Sequence, residues 1–341
     1  SMFARILLLA FLTGTGAFYQ FSRIPHRPTD TTLLSSTNPP ASQPRPNPTQ
    51  IEPSNGPQRP LQGQAPPTLS LPVRVANKFF DITFPLLYSF SPLRSTNLES
   101  YKNLRVLWVR ALLNSRKEIV DPVAYTMLPR GTRHVVSRFP SKLIFRGPVR
   151  KKLSWIKERT EFIDAAAERW IEENPKDSQV VIVGAGYDTR AARISKLNPD
   201  LKFYEIDLPE VVETKAKLYA QTFRGQKSPS TLISHDLKSP TPLLSVLPPA
   251  FDKSLPTLFI IEAVMFYLPP PSITNLLKEV FSLPQPSRTI IVDNLAKVGV
   301  TPGGPPQQIK ERCKEMGDGY GKTLTEHKAI WGGAIHFAEF Q

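Results

Sequence analysis

Cysteine is nearly absent from this chain of 341 residues, and the single one, Cys313, excludes an internal disulfide and a cysteine-based metal site. The five histidines are scattered, at positions 26, 134, 235, 327 and 336, with no ligand spacing between them, so no metal is expected. His235 is the one histidine inside a motif block, where a structural role is the simpler reading. No Asn-x-Ser/Thr sequon with x other than proline occurs, which fits an organelle destination slightly better than a secreted one. Apolar runs long enough to span a bilayer are missing as well. Residues 75–90, VANKFFDITFPLLYSF, are broken by Lys78, Asp81 and Pro85, and read as a packed or interfacial segment.

Acidic residues are scarce at the front. Residues 1–150 hold 19 Lys+Arg against 6 Asp+Glu, a net of +13, whereas residues 151–341 hold 24 against 23, a net of +1. The basic excess therefore belongs to the leader, the linker and the first helices, whereas a nucleic-acid binder more often carries its charge on a folded face with interleaved aromatics. That pattern argues against a nucleic-acid binder and for targeting composition or loose contact with an anionic membrane surface.

The amino-terminal part does not read as globular. Residues 1–19 combine Arg5, an apolar stretch from Ile6 to Leu12 and small residues at Thr15 and Ala17, the form of a cleaved secretory signal. Phe18 after Gly16-Ala17 also resembles the entry signal of complex plastids. Secretion, plastid targeting or, without a true signal, a cytoplasmic site are the alternatives. Residues 20–72 form a proline-rich linker, with 13 prolines between Pro25 and Pro72; so little apolar surface cannot offset the entropy of ordering. Residues 73–150 are assigned to a helical cap, with Leu104, Leu107, Trp108, Ala111 and Leu112 at helical spacing, and residues 151–341 to a catalytic core.

The core opens with Val180–Val183, a β-branched run suited to a strand buried on both faces. Gly184 and Gly186 follow, where the backbone turns sharply and a ligand can approach without a Cβ between. A second strand, Lys202–Ile206, ends on Asp207, placed to accept both hydroxyls of a ribose. A dinucleotide fingerprint has a third glycine, but Thr189 stands there, and Asp188 puts negative charge where a pyrophosphate would sit. A cofactor with an amino-acid end and no phosphate fits better, and an NAD-dependent oxidoreductase is the weaker alternative.

The blocks Gly184-Ala185-Gly186-Tyr187-Asp188-Thr189-Arg190 and Phe203-Tyr204-Glu205-Ile206-Asp207-Leu208-Pro209-Glu210-Val211, with Lys215, resemble the leucine carboxyl methyltransferase family of class I S-adenosylmethionine-dependent methyltransferases. Asp121-Pro122-Val123-Ala124 resembles the family's D-P-L-A segment. Arg159-Thr160 with Phe162-Ile163-Asp164 resembles R-T-x-F-I-D, and Glu262 with Tyr267-Leu268-Pro269 resembles E-G-x-x-x-Y-L-P. The resemblance implies an α/β class I methyltransferase fold: a Rossmann-like, mostly parallel sheet with helices on both faces and an N-terminal helical cap. It implies S-adenosyl-L-methionine as cofactor and a small-molecule or protein carboxylate as methyl acceptor. Gly184 and Gly186 inherit contact with the cofactor backbone, Asp207 the ribose, Asp236 and Leu237 the adenine, Arg159 the cofactor carboxylate and Glu262 its ammonium. Glu262 and Tyr267 are the candidates nearest the chemistry.

Each assignment has a plainer rival. Arg159 closes a solvated charge run from Lys151, Asp207 suits a helix N-cap, Asp236 suits a turn before Pro240, and Arg190 suits a structural pairing. Glu262 lies between the apolar runs Leu258–Ile261 and Ala263–Phe266, where a carboxylate without a partner is costly. Further strands are expected at 257–261 and 289–292 with a helix at 272–281. Past residue 295 only Ala334–Phe340 reads as a strand, so the sheet is expected to be incomplete at its C-terminal edge. A methyltransferase-like fold serving as a non-catalytic binding or scaffold module is the alternative function.

Overall fold

The computed structural model describes residues 98–128, 133, 136–137 and 147–341. The leader, the linker and the segment 75–90 lie outside them. In chain order the elements are α1 (Leu98–Ser115), α2 (Pro122–Met127), α3 (Gly147–Glu173), β1 (Gln179–Val183), α4 (Arg190–Ile194), β2 (Lys202–Asp207), α5 (Pro209–Thr222), β3 (Thr231–Ser234), β4 (Thr257–Glu262), α6 (Pro270–Phe281), β5 (Arg288–Asp293), α7 (Pro306–Asp318), β6 (Leu324–Ile330) and β7 (Ile335–Phe340). Four helices, α2, α5, α6 and α7, begin on proline, whose fixed φ suits the first turn and whose missing N–H costs nothing there. Among the described residues no helix is long and apolar enough to cross a membrane.

The strands form one sheet of order β3-β2-β1-β4-β5-β7-β6, with β1 to β5 parallel and β7 antiparallel to both of its neighbours. Strand residues alternate between two buried faces, as continuous apolar runs with helices on both sides must. Val180, Ile182, Leu258, Ile260, Ile290 and Phe337 pack with α1, α3 and α5, while Val181, Val183, Phe259, Ile261, Ile291 and Phe340 pack with α6 and α7.

The C-terminal edge departs from expectation. Both β6 and β7 are present, so the sheet has its closing antiparallel pair. β6 reads Leu-Thr-Glu-His-Lys-Ala-Ile and is only half-buried, with Glu326 and Lys328 exposed as on a protected edge strand, and that polarity hides it from apolar periodicity. Helix α7 covers the edge with a narrow stripe of Ile309, Cys313, Met316 and Gly317. A Cβ on Gly317 would meet Phe340 Cε1 at 2.7 Å, so the helix needs glycine there to sit this close to β7.

β1 and β4 are adjacent, and the chain winds outward from them in opposite directions. The crevice at their carboxyl ends is the switch point of the sheet, where doubly wound folds bind ligands.

Candidate functional site

The turn after β1 places Gly184 and Gly186 at φ +64° and +46°, in the left-handed region that favours glycine. Gly184 also lies against the end of β4, since a Cβ there would stand 2.3 Å from Val264 Cγ2. Asp207, half-buried at the end of β2, accepts the Gly186 N–H at 2.6 Å through Oδ2 and the Leu208 N–H at 2.7 Å through Oδ1. Burial raises the Asp207 carboxyl, against the pull of those two backbone donors. The N-cap of α5 is Leu208, without a side-chain cap bond, so Asp207 is not the helix cap that its position in the sequence suggested.

Arg159 and Glu262 come together from α3 and β4. Arg159 Nε is 2.7 Å from Glu262 Oε1, inside ion-pair distance but without hydrogen-bond alignment, so the guanidinium edge is only partly satisfied. Arg159 is buried and stacks over the Trp155 ring at 5.3 Å, which excludes the reading of a solvated surface charge. Burial lowers its pKa, with Glu262 opposing the shift.

Glu262 Oε2 is held at 2.5 Å by Arg190 Nη1, the centre of a larger network. Arg190 is fully buried, bonds Asp164 Oδ1 at 2.7 Å and pairs with Asp188 Oδ2. Its partners are carboxylates rather than strand-end carbonyls. Asp188 is therefore not a bare charge facing a ligand: burial alone would raise its carboxyl, but Arg190 and then Arg110 hold it well below the ordinary range. Four guanidiniums (Arg110, Arg159, Arg190, Arg193) face four carboxylates (Asp121, Asp164, Asp188, Glu262), so the charges of this buried and half-buried network balance.

Asp121 carries a role that the sequence reading left unassigned. Fully buried, it caps α2 by accepting the Ala124 N–H at 3.0 Å, and its Oδ2 accepts from Arg110 Nε and Thr189 Oγ1, both at 2.8 Å. One carboxylate thus ties α1, α2 and the glycine-turn segment together. Arg110 was also missed; the available signal is an arginine one position from Ala111 in an otherwise apolar helical stretch. Asn103 is a third omission, its side chain 3.3 Å from where a Gly186 Cβ would lie.

Beyond Glu262, Ala263 adopts φ +56° where the resembled motif has glycine. The turn is held in place by Asp293, fully buried at the end of β5, which accepts the Val264 and Met265 N–H groups at 2.6 and 2.7 Å. Burial pushes the Asp293 carboxyl up to about 7 despite those bonds. Tyr267, at the end of the turn, is exposed. Asp236 is also exposed and accepts the Lys238 N–H at 2.9 Å, the turn geometry of its plainer reading, and Leu237 is half-buried beside it. Cys313, His327 and His336 lie together at the far edge of the sheet, so the single cysteine does not exclude a shared metal site as its count in the sequence suggested; pairing of β6 with β7 brings the three together.

A doubly wound seven-strand sheet of this order, with a glycine turn and an acid at its switch point, defines the class I methyltransferase fold. The leucine carboxyl methyltransferase family model matches residues 103–281, just over half of the chain, and the chain belongs to that family. A protein of Mycobacterium marinum (strain ATCC BAA-535 / M), provisionally named an S-adenosyl-L-methionine-dependent methyltransferase, is 33% identical over 138 residues, 40% of this chain and 41% of that protein. One of Mycobacterium ulcerans (strain Agy99) with the same provisional name is 32% identical over 174 residues, 50% of each. The chain spans about half the length of these curated relatives. Among solved structures, magnesium protoporphyrin IX methyltransferase from Synechocystis PCC 6803 with bound S-adenosylmethionine overlays 58% of this chain and 86% of its own, at 13% identity and a TM-score of 0.39.

Proposed function

We propose that this chain is an S-adenosylmethionine-dependent methyltransferase that O-methylates a carboxylate, either of a small molecule or of a protein C-terminus. The observation that carries the reading is the Arg159–Glu262 pair beside the glycine turn, with Nε and Oε1 2.7 Å apart. The amino-acid end of the cofactor is a zwitterion, and a buried guanidinium next to a half-buried carboxylate is its charge complement. In this reading the two side chains pair with one another until ligand arrives, then Arg159 takes the carboxylate and Glu262 the ammonium.

The remaining residues fit the same ligand. Gly184 and Gly186 allow close backbone approach, Asp207 retains acceptor capacity for ribose hydroxyls, and Asp236 and Leu237 flank the adenine position. The cofactor supplies an electrophilic methyl on a sulfonium. An acceptor carboxylate is already ionised at neutral pH, so the chain needs no general base and contributes by alignment and by excluding water. Glu262, held by two guanidiniums, acts as a binding group rather than a proton acceptor. Tyr267 is assigned to the acceptor side.

Thermal melting of the full chain with S-adenosylmethionine, S-adenosylhomocysteine and NAD in parallel tests the cofactor. Ligand at roughly 100-fold over its dissociation constant stabilises by about 2.7 kcal/mol. Stabilisation by neither adenosyl compound would sink the reading. Transfer of labelled methyl from S-adenosylmethionine to carboxylic acids and peptide C-termini, followed by alkaline release of labelled methanol, tests the acceptor; an alkali-stable product excludes a carboxyl ester. Binding without transfer to any acceptor would favour the scaffold alternative.

A further inference from the structure

The edge of the sheet remote from Asp207 carries a donor set that the methyltransferase reading does not use. In the antiparallel ladder His327 of β6 is opposite Ala338, and His336 of β7 is opposite Ala329, so the imidazoles are diagonal neighbours. His327 Nε2 stands 3.1 Å from His336 Nδ1. Cys313, on the buried stripe of α7, completes the group, and one ligand atom from each of the three side chains lies within 4.8 Å of the others. Zinc-type bond lengths, about 2.0 Å to nitrogen and about 2.3 Å to sulfur, put ligand atoms roughly 3.3–3.8 Å apart, so the site needs closure by about 1 Å at its widest.

Burial and polarity also point to a ligand. Cys313 and His336 are fully buried, while His327 is half-buried and leaves a path to solvent. His336 Nε2 is sealed from water without a hydrogen-bond partner, although a Gly333 backbone group lies near enough to favour the charged ring. A buried polar atom left in this way is uncommon in a folded protein and calls for an explanation. Imidazoles bind a metal in the neutral form and a thiol as the thiolate, so all the charge in a filled site comes from the ion and the thiolate it creates.

We propose that Cys313, His327 and His336 bind one thiophilic closed-shell metal ion, Cu+ in preference to Zn2+. A thiolate with two imidazoles suits both ions. Net charge separates them. Cu+ with one thiolate and two neutral imidazoles is neutral, whereas Zn2+ leaves +1 in a buried site. Lys310 and Arg312 already exert positive charge on His327 and His336, and the three ligands include no carboxylate to offset it. Binding releases the Cys313 proton to solvent and involves no change of oxidation state.

The test uses the full chain, stripped with chelator under anaerobic reducing conditions, then loaded with Cu+ or Zn2+ in parallel arms, desalted and assayed for metal. One equivalent of Cu+ should remain on the wild-type chain and fall to background in Cys313→Ser and in His327→Gln. Because His327 is only half-buried, its variant should keep the wild-type circular dichroism and melting transition. X-ray absorption should show one sulfur and two nitrogens about the ion. Copper lost from the wild type on desalting, or retained equally by both variants, would overturn the site. Preferential retention of Zn2+ would overturn the charge argument and the assignment to Cu+. Asp207→Ala should hold copper normally, which separates this site from the proposed cofactor site.

Discussion

The carboxylate of Asp207 accepts the Gly186 backbone N–H at 2.6 Å, fastening the end of β2 to the turn that leaves β1. A second bond, from Ala185 N–H to the Ile206 carbonyl at 2.9 Å, closes the same junction. Hydrogen bonds to a charged group contribute about 1.5–3 kcal/mol each. Asp207→Ala should therefore lower stability by about 1–3 kcal/mol in urea titration and weaken S-adenosylhomocysteine binding at least ~10-fold by calorimetry. Unchanged affinity would remove Asp207 from the cofactor site.

Gly184 offers a cycle that separates strain from crowding. A side chain there meets φ +64° and a Val264 methyl 2.3 Å from its Cβ. Gly184→Ala should cost about 1–2 kcal/mol from the left-handed backbone and about 1–3 kcal/mol from overpacking. Adding Val264→Ala should recover only the second part, seen as a coupling of about 1–3 kcal/mol in a double-mutant cycle.

Ala263 is the mirror case. It occupies φ +56°, held there by the Asp293 carboxylate beneath the following two amides. Ala263→Gly should relieve strain and raise stability by about 1 kcal/mol, net of the entropy glycine adds to the unfolded chain. A loss of stability in urea titration would show that the methyl contributes more through packing than the backbone loses.

Arg190 is expected to be the most costly guanidinium to remove. Arg190→Met leaves Asp188, Asp164 and Glu262 without their shared cation, and breaking a buried pair of this kind costs about 3–5 kcal/mol. Lys217, exposed and paired with Glu213 at 2.6 Å, is the control; Lys217→Ala should cost at most about 1 kcal/mol. Equal effects in urea titration would contradict the network.

The same network sets an acid limit. Burial opposes ionisation of Asp188 and Asp164, but neighbouring arginines prevail and both carboxyls are depressed in the folded state. Their contribution is present above the unfolded carboxyl value of about 4 and is lost as pH falls below it. Unfolding free energy should therefore drop steeply below about pH 4, and Asp188→Asn should flatten that slope while lowering stability at neutral pH. An unaltered slope would place the acid sensitivity elsewhere.

Elements whose cause is local were legible. Val180–Val183 and Thr257–Ile261 are apolar runs that form strands wherever both faces are covered, and the proline at the start of α5 marks its first turn. Gly184, Gly186 and Asp207 carried their meaning in their spacing, because a left-handed turn and a strand-end acid are properties of a few consecutive residues. The edge strand β6 was not legible. None of its residues is fully buried, and pairing with β7 determines it rather than any apolar pattern.

By itself, then, the sequence determined the parallel half of the sheet, the glycine turn and the family resemblance that covers them. Only the tertiary structure decided how charges are matched. Asp188 stands as a bare anion in the chain and as a neutralised one in the fold, because Arg190 and Arg110 reach it from different elements. Asp121 joins Thr189 across 68 positions, and Cys313 meets two histidines that lie on neighbouring strands. Backbone preference acts over a few residues and can be read in order; electrostatic and ligand partners are chosen by proximity in space, and that arises only once the sheet is closed.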